Sequence, residues 1–460
     1  GTRRYFLDSR FRGNDTFHLG SPARTAASCF SRLKCYWFRN LMNQPAFRRW
    51  LHRVLWLLAG GLLVAGLAVG LWAAVEWYFC LPEGITAQYV GRGVCLDCHP
   101  RECQAWQQSE HARSMDWARP EAVLGDFSGQ EYLDVPLAEL PRRLSPQELQ
   151  QVVEVASDEL WARVLAGAAA EFRQAILAAM PADRRTKVQK LLEHGGPLSA
   201  GLLARARLEL NDLLRQMEAE GRLKIPFGLR HRMFRKGDQF FVRTEGPDGQ
   251  MHDFPVKYVL GHWSLQQYLV EFPEGAVLPD GSRMPAGSIQ ALPIAWDVQG
   301  RRWFPLYPGE AIRPDDPLHW TGRLFNANAM CIECHTTGLR RGYDPQKHAY
   351  QSTFSEAQVS CEACHGPASL HVELARSKRL FWDRRYGVGL PRLTKEDTTV
   401  QMDVCAPCHA RRHPIWPDRP EQEAFTAQPR RFLDYYLPSL FDHRTPYIPP
   451  RALYHPDGQI

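Results

Sequence analysis

Cys-x-x-Cys-His occurs four times in this chain of 460 residues: Cys95-Leu96-Asp97-Cys98-His99, Cys331-Ile332-Glu333-Cys334-His335, Cys361-Glu362-Ala363-Cys364-His365 and Cys405-Ala406-Pro407-Cys408-His409. Chance would supply roughly 0.01 such motifs from this composition. Two thiols at that spacing match the two vinyl groups along one porphyrin edge, and the adjoining histidine falls beneath the iron as an axial ligand. Paired Cys-x-x-Cys segments also build zinc sites with four thiolates. Zinc ribbons, however, do not need a histidine directly after every second cysteine, and all four motifs have one. The motifs therefore predict four covalently bound haem c groups. Cys95, Cys98, Cys331, Cys334, Cys361, Cys364, Cys405 and Cys408 are the attachment residues, and His99, His335, His365 and His409 the proximal iron ligands.

Such attachment needs reduced thiols outside the bacterial cytoplasm, so the route of export matters. Val54 to Val75 is an uncharged run, about 33 Å long as a helix and enough to cross a hydrocarbon core of roughly 30 Å. Arg48, Arg49 and Arg53 precede it, and the positive-inside tendency keeps them in the cytoplasm. The run exits through Glu76-Trp77-Tyr78-Phe79, which suits an interfacial anchor better than a cleavage site. The expectation is a single-pass inner-membrane protein with its C-terminal part in the periplasm. Phe79 before Cys80 argues against lipidation there.

Residues 1–53 hold 11 Arg and Lys against 2 acids, a surplus larger than the net +6 of the whole chain. The remainder is therefore net negative, which removes support for nucleic acid as a partner. Met42 opens a conventional basic leader, so residues 1–41 read as translated upstream sequence or a disordered tail, 42–53 as the cytoplasmic segment and 54–75 as the membrane helix. Cys80 and Cys103 are the extra cysteines on the exported side, where a disulfide between them is open.

Beyond the anchor the texture changes repeatedly. Residues 76–127 form a first haem segment, with one helix expected over Arg101 to Met115 and Trp106 as its apolar anchor. Residues 128–226 read as a helical insert for packing or partner docking. Ser145-Pro146-Gln147-Glu148 opens it as a capping box, and helices are expected over about 145–156, 158–180, 182–193 and 198–220. Residues 227–320 read as β-rich: Gln239–Thr244 and His252–Val259 flank the turn Gly246-Pro247-Asp248-Gly249, and short strands are expected over 294–298 and 302–306. Residues 321–460 carry three motifs in a short span, where porphyrins would supply most of the apolar core.

With these residues in view, the chain resembles bacterial multihaem c-type cytochromes related to the tetrahaem cytochrome that takes electrons from hydroxylamine oxidoreductase. The resemblance rests on Tyr89-Val90-Gly91 before the first motif with Trp106 and His111 after it, and on the run Phe241 to Gly249. Leu265 to Leu269, Asp316 to Gly322, Ser360 to Pro367 and Tyr454 to Ile460 extend it. It spans about 87–127 and 228–460, leaving the insert as a departure. Relatives of this kind usually continue into further haem motifs and helical repeats, which implies that Ile460 is not the natural end. No 34-residue recurrence of tetratricopeptide repeats is visible here. The implied fold is mainly α with a small β subdomain: an anchor helix followed by a multihaem cytochrome c fold with little regular secondary structure around the haems.

Electron-transfer haems need a second strong axial ligand, and neutral imidazole suits. His111 and His371 are the first candidates, at positions that match ligands in the resembled family. His319, His262 and His455 follow, each with a packing or surface histidine as the plainer alternative. Met115, Met330 and Met402 lie near motifs but read as ordinary apolar residues. The expected function is electron transfer between quinol-oxidising or periplasmic redox proteins. Two other readings are a reductase or oxidase of small nitrogen or sulfur compounds with one open-coordination haem, and a scaffold with structural haems. No catalytic residues stand out.

Overall fold

The computed structural model describes residues 44–78, 86–376, 390, 393, 398–410, 412–415 and 431–438. Two compact units divide the chain, residues 1–80 and 81–460. The first contributes one helix, Pro45–Tyr78. Its span Pro45–Trp77 is long and apolar enough to cross a membrane, with its apolar window unburied by protein.

The second unit is built on an antiparallel sheet of eight strands. These are β1 (Met115–Trp117), β2 (Ser128–Asp134), β3 (Leu229–Lys236), β4 (Gln239–Glu245), β5 (Met251–Leu260), β6 (Leu265–Phe272), β7 (Ser288–Asp297) and β8 (Arg302–Pro305). β2 to β8 follow in chain order as a meander. The sheet curls until β8 meets β2 and forms a nearly closed barrel. Trp303 Nε1 closes the seam by donating to the Asp126 carbonyl at 3.0 Å. Phe127, Phe240, Tyr268 and Trp303 interlock edge to face beneath it, a geometry that suits the ring quadrupoles.

This corrects the expected mainly α fold with a small β subdomain. The anticipated hairpin is present as β4 and β5, and the two short strands as the end of β7 and β8, but they belong to one large sheet. β7 is buried almost along its whole length because it packs on the barrel core on one side and on residues 320–332 on the other. Alternation is the usual mark of a strand with one wet face, so β7 lacked it.

β5 changes partner midway. Met251 to Pro255 pair with β4, whereas Tyr258 to Leu260 pair with β1. That switch fixes β1, and with it the turn Glu110–Arg113 that precedes it, against the end of the sheet. The helix expected over Arg101 to Met115 is accordingly shorter, Pro100–Gln107. Ser109 Oγ donates to the Trp106 carbonyl at 2.6 Å where the helix stops.

Between β2 and β3 lie the helices Pro146–Val155, Asp158–Ala166, Ala170–Ala179, Ala182–His194 and Ala200–Ala219. Ser145 and Glu148 form the reciprocal capping box. The helix expected over 158–180 is two helices, because the chain turns at Gly167 and Arg173 caps the break by donating to the carbonyls of Leu165 and Ala168. These helices enclose their own apolar core around Trp161, Leu165, Ile176, Leu210 and Leu214. Asn211 joins core to barrel, donating to Asp134 Oδ1 at 2.8 Å and accepting the Val135 N–H.

Candidate haem centres

Each attachment motif forms a helical turn. Cys331–His335 and Cys361–His365 are short helices, the fourth motif ends the helix Thr398–His409, and the first begins within Arg92–Leu96, with His99 N–H bonding the Cys95 carbonyl at 2.8 Å. Positions i, i+3 and i+4 share one face of such a turn. Both thiols and the imidazole of a motif are thereby aimed at one side, as attachment to a single porphyrin requires.

The sheet places these turns. Ala327 N–H bonds the Ile289 carbonyl of β7 at 2.7 Å, Asn328 Oδ1 takes the Ile289 N–H at 2.6 Å, and Ile332 is buried in the barrel core, so the second motif is pinned to β7. Thr337 then bridges forward: its hydroxyl donates to the Gln358 carbonyl and accepts the Ser360 N–H, setting the third motif beside the second. Ser114, at the start of β1, is the common post. Its hydroxyl meets the His335 carbonyl and the Val359 N–H, and its carbonyl takes Gly261 N–H and His335 Nδ1, both at 2.8 Å.

That last bond sets a tautomer. With Nδ1–H donating to a backbone carbonyl, His335 keeps Nε2 for a metal, the usual arrangement around a metal-binding imidazole. Burial holds its pKa below the ordinary histidine value, which favours the neutral ligand form.

Two histidine pairs face one another across motifs. His371 stands 6.3 Å from His99, ring centre to ring centre, at an interplanar angle of 29°. His111 stands 6.0 Å from His409 at 76°. A metal–nitrogen bond of about 2 Å on each side, plus ~1 Å from each nitrogen to its ring centre, puts two axial imidazoles roughly 6 Å apart. The observed spacings match that requirement, so these residues fit a haem iron held between them. Burial, then the neighbouring His409, holds His111 below the ordinary histidine range and keeps it neutral. When bound, the iron would supply a reversible one-electron change, and His99, His371, His111 and His409 would hold it.

The other histidines named from sequence are placed differently. His335 and His365 close their own motif turns, and His111 and His371 stand against the other two proximal ligands. His319, in the loop after β8, is 4% exposed, with Nδ1 2.7 Å from Thr321 Oγ1 and Nε2 3.9 Å from Glu245. Burial lowers its pKa to about 4. Both ring nitrogens of His262 are engaged: Nδ1 meets Glu110 at 3.0 Å and Nε2 meets Arg113, so it braces the turn that carries His111. His455 and Cys80 lie outside the described residues. Met115 is fully buried in the barrel core, and Met330 and Met402 are exposed.

The thiols of different motifs meet in sequence. Cys95 lies near Cys361, with the buried Cys103 beside them. Cys364 neighbours Cys405, and Cys408 neighbours Cys334. Before any haem is attached, burial pushes the Cys95 thiol up to about 12 and the Cys331 thiol to about 11. Arg412 sits at the Cys334–Cys408 junction, 3.3 Å from Glu333 and stacked 4.0 Å above the Tyr436 ring. Ser114, Thr337 and Arg412 carry no motif and gave no signal in the sequence, because their roles arise from contacts more than 20 residues away.

The cytochrome c554 and c-prime family matches residues 94–126 and 319–366. Those two segments contain the first three attachment motifs. The FliG C-terminal domain family matches residues 137–225, within the helical insert. No curated protein matches the chain. Among solved structures, the outer cell wall cytochrome OcwA is similar over 76% of this chain and 45% of that one, with 16% identity and a TM-score of 0.35. The chain thus spans less than half the length of that structure. The family match falls on segments that bear Cys-x-x-Cys-His turns and supports a c-type cytochrome, a class in which haem c is bound covalently.

Proposed function

We propose that the chain is a membrane-anchored, periplasmic electron carrier with four haems, related to the tetrahaem acceptor of hydroxylamine oxidoreductase. The observation that carries this reading is the pair of facing imidazoles, His99 with His371 and His111 with His409, each spaced for an iron. An iron with both axial positions filled by imidazole exchanges electrons with little change in its coordination and offers no open position to substrate.

The meeting thiols give the haems an order along the wire. First and third motifs are neighbours through Cys95 and Cys361, third and fourth through Cys364 and Cys405, and fourth and second through Cys408 and Cys334. Electrons would pass in the order first, third, fourth, second. The helix Pro45–Tyr78 supports an inner-membrane anchor that keeps the carrier near a quinol-oxidising or periplasmic partner.

Membranes that contain the full chain test this directly. On adding a reduced quinol with a quinol-oxidising partner present, the α-band of the haems should grow, and it should fade on adding an oxidised periplasmic carrier. Electron paramagnetic resonance of the oxidised protein should show low-spin signals from the paired sites. Haems that dithionite reduces but no carrier exchanges with would overturn the reading in favour of a scaffold.

A further inference from the structure

Glu362 lies inside the third motif, between Cys361 and Ala363, yet its side chain takes no part in the attachment chemistry. It is 1% exposed. Its two oxygens accept from three backbone groups: Val90 N–H at 2.9 Å, Gly91 N–H at 2.7 Å and Ala368 N–H at 2.8 Å. Each of these donors lies where it matters. Val90 and Gly91 lead into the turn Arg92–Leu96 that opens the first motif, and Ala368 immediately precedes the helix Ser369–Arg376 that carries His371.

The carboxylate therefore holds together the two pieces of chain that supply His99 and His371. A second strap reinforces the junction: Ser369 N–H bonds the Gln88 carbonyl at 3.1 Å, and Gln88 N–H bonds Ser369 Oγ at 2.8 Å. The backbone at both ends is shaped to face the carboxylate. Gly91 has φ +78° and Gly366 φ +75°, conformations that glycine adopts without strain. A buried carboxylate with several N–H donors is a strong and directional clamp, whereas the same donors left without an acceptor are costly.

We propose that Glu362 is a positioning residue that sets the axial geometry of the haem on the first motif from within the third, by fixing His371 against His99. This inference rests on the electron-carrier reading above. It assigns to one residue a coupling between two haem sites: loosening Glu362 frees His371 from the iron bound to a different motif.

The test uses the full haem-loaded chain and three variants: Glu362→Ala, Glu362→Gln and His371→Ala. Glu362→Gln keeps the volume but presents an NH₂ where one oxygen accepted, so part of the clamp is lost. His371→Ala defines the signature of an undocked ligand, loss of one low-spin resonance with appearance of a high-spin one. Glu362→Ala should reproduce that signature, and Glu362→Gln should show it in a fraction of molecules, the remaining low-spin signals staying as in the unsubstituted protein. If Glu362→Ala does not load haem, Glu362→Gln decides alone. Unchanged low-spin signals and potentials in Glu362→Gln, or equal disturbance of every haem, would overturn the proposal. A parent protein without low-spin haem would instead strike the electron-carrier reading itself.

Discussion

His371 lies six residues beyond His365, and His111 twelve beyond His99, but each faces the proximal histidine of a motif far away in sequence. Spacing and resemblance were enough to single out both residues as candidates, because a histidine outside a Cys-x-x-Cys-His motif but close to one is a chemically plain signal. Their pairing was not legible, since it depends on β1 docking on β5 and on the Glu362 clamp. A double-mutant cycle checks it: His371→Ala should remove one low-spin signal, but should change nothing further when Cys95 and Cys98 are already replaced by Ala. Loss of another low-spin signal in that background would assign His371 elsewhere. Two buried titrating groups make predictions at the same scale. Burial raises Asp134 from 3.8 to about 7 against the opposing hydrogen bonds from Gly309 and Asn211. The folded chain then keeps a proton that the unfolded chain releases, so stability falls as pH rises from about 4 through 7. Asp134→Asn should stabilise by roughly 1–2 kcal/mol at pH 8 and by almost nothing near pH 4, read from denaturant midpoints. His231, fully buried with Nδ1 3.0 Å from Thr244 Oγ1, is lowered from 6.5 to about 4 by burial. Here the unfolded chain takes the proton first, so stability falls as pH drops from 6.5 towards 4. His231→Gln should flatten that slope in thermal melts.

Elements were legible where their signals are local. The capping box Ser145–Glu148 marks a helix start without help from the rest of the fold. Ser145→Ala should cost about 1 kcal/mol, measured by urea unfolding. The break at Gly167 was hidden because apolar spacing runs through it, and the residue that caps it, Arg173, lies beyond. The sheet was the larger omission. β2 carries Ser128-Gly129-Gln130-Glu131 and β7 is apolar on both faces, so neither shows the period-2 pattern by which β4 declares itself. What joins them is tertiary: Trp303 and Phe127 seal the seam between β8 and β2. Trp303→Ala removes that ring and the bond to Asp126, and should cost about 3–5 kcal/mol. A loss below ~1 kcal/mol would show that the seam does not hold the barrel.

At the scale of the molecule, the barrel acts as a frame on which the described attachment turns are hung, and the helical insert is fastened to the same frame through Asn211, Asp134 and the Arg302–Asp212 ion pair of 2.7 Å. Four repeats of Cys-x-x-Cys-His announced the chemistry from the sequence, whereas the order in which the motifs meet, first to third to fourth to second, is a product of folding alone. The whole account rests on haem joined covalently to this polypeptide at all four motifs. Intact mass together with pyridine haemochrome absorbance of the exported protein measures that most directly. Four haem equivalents per chain that resist acid–acetone extraction are predicted. A colourless protein with the mass of the bare polypeptide, or haem that acid–acetone strips away, would contradict it.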